Sequence, residues 1–150
     1  MVNAQPDTAT ELRARALRLL ARREHSRAEL GRKLSGRAES ADALNALLDS
    51  LEAKKQLSDE RFASERAHVL QRKYGAARIR QDLKAKGVDA ALVAGVTAEG
   101  EFDRARAILE RKYRQPAATR EERAKRMRFL QSRGFSSEII FMLMSSRHAD

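Results

Sequence analysis

Side chains that could bind phosphate groups are concentrated in the middle of this chain. Arginine and lysine donate hydrogen bonds to phosphate and carboxylate oxygens, and arginine can use two nitrogens at once. The three acidic residues among positions 61–90 cannot neutralise the cations of this block. We expect either a solvated basic face or a face that follows phosphates or binds an acidic protein. The block consists of Arg72, Lys73, Arg78, Arg80, Lys84 and Lys86.

Arg66 interrupts an apolar pattern. At a helical period it falls in the middle of the stripe made by Phe62, Val69 and Leu70. A cation in such a place needs a charged partner or a path to water. Two interpretations stay open: Arg66 forms an internal ion pair or reaches solvent, or the stripe lines a groove.

The segment from Thr119 to Arg133 predicts a helix with an aromatic residue on its basic side. Ala124, Met127 and Leu130 form the inner stripe, so Phe129 is predicted to point away from it. A ring among cations can stack on a base while the cations hold phosphates, or it can fill a partner's pocket. Packing of Phe129 on the preceding repeat is the alternative. Its basic neighbours are Lys125, Arg126, Arg128 and Arg133.

Catalytic chemistry finds little support in the residue pattern. His25, His68 and His148 lie far apart and match no metal-binding spacing. The absence of cysteine excludes disulfides, thiolate catalysis and cysteine zinc sites. No glycine-rich phosphate loop occurs, and the acidic residues mostly begin helices or face arginine, as Arg78 and Asp82 could at i,i+4. We expect a protein that is not an enzyme.

The composition suits a helical protein with an anionic partner. The chain has 150 residues, 42% hydrophobic and 35% charged, and a net charge of +10. Residues 61–90 contribute +5 and residues 104–133 contribute +8, whereas residues 1–60 contribute only +1. Such a basic field favours nucleic acid, although an arginine-rich soluble protein would also show it. No apolar run approaches the length of a spanning helix and the N-terminal segment does not resemble a secretory signal, so we expect a soluble cytoplasmic protein.

Helical periodicity dominates the chain, and polar residues mark where helices begin. Ser26 followed by Glu29 predicts a capping box. The stretch "VDAALVAGV" predicts a short and mostly buried helix. Further predicted helix caps are Ser40, Ser58 and Thr119 at N-termini and Gly87 and Gly134 at C-termini.

Similar segments recur along the chain. "VLQRKY", ending at Tyr74, returns as "ILERKY", ending at Tyr113, 39 residues later. His25 takes the equivalent place in the first copy. We predict an all-α fold of three tandem three-helix repeats forming an elongated, curved body, since repeats bury faces that single units cannot. The predicted repeats span residues 8–56, 57–96 and 97–147.

The segment "LSDERFASERAHVLQRKYGAARIRQDLKAKGV" resembles the RecX family of RecA regulators. The N-terminal "ALRLLARREHSRAELGRKL" resembles the opening helices of that family, and "FLQSRGFSSEIIFMLM" resembles its closing helix pair. The resemblance extends from about Leu12 to Met144. The matching positions of the middle motif are Leu57, Asp59, Phe62, Ala63, Arg66, Gly75, Ile79, Leu83, Lys86, Gly87 and Val88.

The resemblance implies a modular helical protein that binds the RecA–DNA filament in its helical groove. It implies inhibition of the RecA ATPase, strand exchange and coprotease activities in DNA repair and the SOS response, with no cofactor. We expect this protein to be a monomer. The expected partners are RecA together with single-stranded DNA and, as a further candidate, double-stranded DNA. The first candidate contacts are Arg66, Arg72, Lys73, Arg78, Lys84 and Lys86; the second are Lys125, Arg126, Phe129 and Arg133.

Two other functions stay open on the sequence. One is a sequence-nonspecific DNA- or RNA-binding protein that acts independently of RecA. Its supposed recognition helix near Ala41–Leu51 is acidic or neutral, which argues against major-groove readout. The other is a small helical nuclease or hydrolase, for which no paired carboxylates or metal cluster can be named.

Overall fold

The computed structural model describes residues 5–146, and every regular element among them is an α-helix. The all-α prediction is therefore confirmed. His148 and the predicted end of the third repeat at position 147 lie outside the described residues. No helix in the described ranges is long and apolar enough to cross a bilayer. The helices are α1 (Ala9–Arg22), α2 (Arg27–Leu34), α3 (Ala41–Ala53), α4 (Asp59–Leu70), α5 (Ala76–Ala85), α6 (Ala90–Ala94), α7 (Glu101–Lys112), α8 (Arg120–Ser132) and α9 (Ser137–Ser146).

Side-chain caps start most of these helices, as the sequence predicts. The hydroxyl of Ser26 accepts from the backbone N–H of Glu29 at 3.0 Å. The second half of the predicted capping box is wrong, because the Glu29 carboxylate binds Arg23 instead. A full capping box occurs at Thr8, whose hydroxyl and backbone N–H both bond to Glu11. The predicted N-caps Ser40, Ser58 and Thr119 are confirmed by side-chain hydrogen bonds.

The chain divides into two compact units. Among the described residues, the first unit contains 5–65 together with 83–93, and the second contains 66–82 together with 94–146. In the first unit α1, α2 and α3 pack around a leucine-rich core. That core consists of Leu12, Ala16, Leu30, Leu34, Leu47, Leu48, Leu51 and Leu57.

In the second unit α7, α8 and α9 pack on one another. Their apolar stripes meet because the helical period places one buried residue on each turn. The core consists of Ala105, Ile108, Leu109, Leu130, Phe135, Ile140, Leu143 and Met144.

Two glycines hold the start of α5 against the end of α8 in the second unit. The backbone N–H of Gly75 donates to the carbonyl oxygen of Arg133 at 2.7 Å. A Cβ on Gly75 would lie 2.5 Å from the carbonyl oxygen of Gly134, so no side chain fits there. Gly134 itself has a φ of 90°, which favours glycine. The buried carboxylate of Glu101 accepts from the backbone N–H of Ala76 and so satisfies the first turn of α5.

The helix predicted in "VDAALVAGV" is present as α6 but is not mostly buried. None of its five residues is buried, and Leu92 and Val93 are half-exposed. Val88, just before it, is buried instead. A helix of this length can turn only one short face inward, so its other residues stay in solvent.

Candidate nucleic-acid interface

Most of the net charge belongs to one of the two units. Residues 66–82 and 94–146 contain 16 basic and 8 acidic side chains, whereas residues 5–65 and 83–93 contain 14 and 12. Among the described residues of the second unit, carboxylates within 4 Å pair with Arg66 and with Arg106. The positive charges of the other cations in this unit are therefore largely not neutralised by nearby carboxylates, and their electrostatic field attracts anions.

Several of these cations line a groove in the second unit. It has a volume of about 1240 Å³ and lies between the end of α4, one face of α7 and the segment that follows α7. Ala107, Ile108 and Tyr113 supply its apolar wall. Four arginines supply its charge, and Glu110 is the acidic residue among its lining. We call this site the basic groove; its arginines are Arg72, Arg104, Arg111 and Arg114.

A hydrogen bond joins the two sides of the basic groove. The Nη2 atom of Arg111 donates to the backbone oxygen of Arg72 at 2.7 Å. Both arginines are exposed, so their remaining N–H groups face solvent. An arginine held by its own hydrogen bond loses less side-chain freedom on binding an anion, because its position is already restricted.

Aromatic rings and cations alternate beside the basic groove. Arg78 and Arg133 lie 5.1 and 5.3 Å from the ring centroid of Tyr74, and Arg133 lies 5.1 Å from that of Phe129. Phe129 meets Tyr113 edge to face at 6.1 Å, and Lys112 lies 4.3 Å from the centroid of Phe129. Cation–π attraction holds such an arrangement together. We call it the aromatic–cation ladder; its rings are Tyr74, Tyr113 and Phe129.

A second, smaller cavity connects the ladder with the basic groove. Its volume is about 290 Å³, and Tyr74, Phe129 and Arg133 line it. It shares Arg72 and Arg111 with the basic groove. Lys73 and Lys112 add two more cations to its lining. The arrangement therefore offers phosphate-binding side chains next to half-buried aromatic rings.

Two predictions about α8 are wrong. Arg126 is 6% exposed and lies 4.5 Å from the ring centroid of Tyr113, so it does not belong to an outer basic face. Phe129 packs against the core of its own unit and does not point away from it. Both side chains contact Tyr113: the guanidinium of Arg126 lies over its ring, and Phe129 meets the ring edge to face.

Arg66 forms an ion pair within the second unit. Its Nε and Nη2 atoms donate to the two carboxylate oxygens of Asp82 at 2.9 and 3.1 Å. This is the internal ion pair that the sequence left open. Asp82 therefore pairs with Arg66. Arg66 remains a candidate contact, with a carboxylate already bound.

The other predicted residues are placed differently. Arg72 lines both cavities and Lys73 lines the smaller one, and Arg78 and Arg133 belong to the ladder. Lys125 is exposed on α8 and lines neither cavity. Lys84 and Lys86 belong to the first unit, where the backbone oxygen of Lys86 accepts from Ser26 at 2.7 Å.

Three arginines of the basic groove were not predicted from the sequence: Arg104, Arg111 and Arg114. A signal for Arg111 was present in the repeated "RKY", since Arg72 and Arg111 are the same position of that motif. No comparable signal marks Arg104 or Arg114. In the described ranges no three His, Asp or Glu side chains come together in a way that could hold a metal ion.

Comparison with known proteins assigns the family. Three RecX family models match in order: the first three-helix domain over residues 13–51, the second over 58–96 and the third over 99–144. The regulatory protein RecX of Ralstonia nicotianae is 43% identical over 149 residues, which is 97% of this chain and 94% of that protein. The regulatory protein RecX of Herbaspirillum seropedicae is 44% identical over 90% of each chain.

Solved structures agree on the fold. The crystal structure of RecX from Lactobacillus salivarius superposes with a TM-score of 0.82 at 18% identity, over 95% of this chain and 97% of that one. Another crystal structure of a regulatory protein RecX gives 0.71 at 20% identity, over 91% and 73% of the two chains. The predicted succession of three three-helix domains is confirmed. The chain belongs to the RecX family of regulatory proteins.

Proposed function

We propose that this protein is a negative regulator of the RecA recombinase. It binds the RecA–DNA filament, in the helical groove of that filament, and lowers the ATPase, strand-exchange and coprotease activities. Family membership supports the regulatory role. The observation that carries the proposal is the basic groove with its adjoining ladder, which suits a target that contains both protein and nucleic acid.

The proposed mechanism is steric and electrostatic. Cations without carboxylate partners attract the phosphates of the filament, and this attraction speeds the first encounter. A molecule lodged in a helical groove then blocks the addition of subunits or favours their loss. One bound copy can affect many RecA subunits, because growth of a filament depends on its ends. The protein acts in the cytoplasm, without a cofactor.

A titration of RecA tests the proposal. Single-stranded-DNA-dependent ATP hydrolysis by RecA is followed while this protein is added well below one copy per RecA. We expect hydrolysis to fall at substoichiometric ratios. No fall even at an excess over RecA would reject the regulator.

A second candidate is a sequence-nonspecific nucleic-acid-binding protein that acts without RecA. The concentration of positive charge in the second unit favours it, since that charge does not depend on any RecA contact. Binding to naked DNA that weakens steeply with salt, and that RecA leaves unchanged, would support this candidate.

A further inference from the structure

We propose that the basic groove binds a single strand of nucleic acid, with phosphates at its arginines and one unpaired base against Tyr74. The inference rests on the proposed function, because it names the component of the nucleoprotein filament that this site contacts. It adds a specific location and a choice of single strand over duplex.

The groove arginines are suited to a chain of phosphates. Arg72, Arg111 and Arg114 are exposed, and no carboxylate of the described residues lies within 4 Å of any of them. The cavity of about 1240 Å³ exceeds the usual size of a small-molecule pocket. It therefore has room for several successive nucleotides.

Two buried nitrogens provide an independent indication of an anionic ligand. The Nε atom of Arg104, which lines the groove, and the Nη1 atom of Arg126, whose guanidinium lies 4.5 Å from the ring centroid of Tyr113, are buried with no hydrogen-bond partner among the described residues. A buried N–H group without a hydrogen-bond partner is costly because it has lost its hydration, although Arg104 also donates through Nη1 to the backbone oxygen of Glu99 at 2.7 Å. A row of phosphates along the groove would offset part of this cost, since electrostatic attraction is stronger where water is excluded.

The smaller cavity provides the place for a base. Tyr74 and Phe129 are half-buried, and the guanidinium of Arg133 lies 5.3 and 5.1 Å from the centroids of their rings. Stacking on aromatic rings and guanidinium planes is the common way to hold an unpaired base. Arg72 and Arg111 line both cavities, so the phosphate next to that base can stay on the groove arginines.

This geometry selects a single strand. The bases of a duplex are paired and stacked inside it, so none can enter the smaller cavity unless it is first flipped out. Recognition of a duplex by a helix needs an element that projects into the major groove. Here the cations line concave cavities, which a flexible single strand can enter.

The two tyrosines provide a built-in reporter for the test. The chain has two tyrosines and no tryptophan, and both tyrosines belong to the ladder. The full-length protein is titrated with a short oligodeoxythymidylate in the absence of RecA. Tyrosine emission is corrected for absorbance by the oligonucleotide, and anisotropy of a labelled oligonucleotide gives the Kd. We expect emission to change with the same Kd, and a DNA hairpin with as many phosphates to bind more weakly.

A matched pair of variants locates the site. The groove variant Arg72→Ala, Arg111→Ala and Arg114→Ala should weaken oligodeoxythymidylate binding by about 10-fold or more and reduce the salt slope by about 2. The control Arg18→Ala, Arg22→Ala and Arg32→Ala removes three exposed cations of the first unit, with the same change of charge. It should retain the wild-type affinity. Circular dichroism checks the fold, and Arg114→Glu alone, in the exposed segment after α7, repeats the test if the triple variant unfolds.

Variants of Tyr74 test whether a base binds against the ring of this residue. Tyr74→Ala should weaken binding of the oligonucleotide by about 10-fold, and Tyr74→Phe should retain binding because the ring remains. Equal weakening by the groove and control variants, equal binding of hairpin and single strand, or unchanged tyrosine emission at saturation would each overturn the inference.

Failure of the inference differs from failure of the proposed function. A protein that inhibits RecA hydrolysis while its groove variant binds DNA normally rejects the groove and keeps the regulator. A protein that binds oligodeoxythymidylate as expected but leaves RecA hydrolysis unchanged supports the groove and rejects the regulator.

Discussion

Arg111 donates from its Nη2 atom to the backbone oxygen of Arg72 at 2.7 Å, although the two residues are 39 positions apart. They occupy the same place in the two copies of the "RKY" motif. The repeat therefore brings equivalent cations to the two sides of one groove. Duplication of the motif brings basic residues together in the folded protein, although no basic segment of the sequence becomes longer.

Charge reversal beside the basic groove should weaken regulation without unfolding the protein. The variant Arg72→Glu, Lys73→Glu and Arg78→Glu changes exposed side chains whose charges repel phosphates once reversed. We expect about 10-fold more protein to be needed for half-inhibition of RecA ATP hydrolysis. The control Arg18→Glu, Arg22→Glu and Arg32→Glu should inhibit like the wild type. Unchanged inhibition by a folded groove variant would reject this assignment of contacts.

Gly75→Ala should destabilise the second unit. The new Cβ would lie 2.5 and 2.7 Å from the carbonyl oxygen and carbon of Gly134, and backbone atoms cannot rotate away. We expect the free energy of unfolding to fall by about 2 kcal/mol, within the range for overpacked sites. Urea denaturation followed by circular dichroism measures it. Gly36→Ala is the control, because nothing lies within 4 Å of its added Cβ, and it should be neutral or slightly stabilising.

Glu29 should make stability depend on acid pH. Hydrogen bonds from Arg23, at 2.9 Å to each carboxylate oxygen, hold the pKa of Glu29 at about 2 even though burial raises it. Because the folded pKa is depressed, this stabilisation is present above the unfolded pKa of 4.5 and is lost as pH falls toward 2. Glu29→Gln should cost about 2 kcal/mol at neutral pH, and the difference from wild type should shrink below about pH 4. A difference that stays constant with pH would contradict the ion pair.

His25 should make stability depend on pH in a higher range than Glu29 does. It is 1% exposed; its Nδ1–H donates to the backbone oxygen of Arg23 at 3.0 Å, and its Nε2 accepts from the Lys33 ammonium at 2.9 Å. Burial, with the charges of Arg23 and Lys33, lowers the pKa of His25 below 6.5. The unfolded chain therefore takes up a proton before the folded one, and stability falls as pH drops through and below about 6.5. Denaturation midpoints near pH 7.5 and pH 5.5 should differ less in His25→Asn than in the wild type.

The helices could be predicted from the sequence because their signals are local. Ser40, Ser58 and Thr119 bond to backbone N–H groups three residues away, so a short window contains cap and helix together. The repeated "RKY" likewise indicated a repeated unit. The domain order followed from the same local patterns.

The site could be predicted only in part, because its contacts are not local. Phe129 packs inward and contacts the ring of Tyr113, which lies 16 positions earlier in the chain. The guanidinium of Arg126 lies over the same ring. Asp82 lies four positions from Arg78 but binds Arg66 from another helix. Helical spacing identifies which residues share a face, but it does not identify what lies opposite that face.

The second three-helix domain belongs to neither compact unit as a whole. Its match spans residues 58–96, but residues 66–82 of that span lie in the second unit and residues 83–93 lie in the first. The second domain is recognisable as a repeat in the sequence, but it therefore cannot be excised as an intact folded unit. Truncation after the first domain would separate residues 5–51 from residues 83–93 of the same compact unit, and truncation before the third domain would separate residues 99–146 from residues 66–82 of theirs. Dissection of this protein should accordingly proceed by point substitution, and loss of activity in a shortened chain would not locate a function in the piece removed.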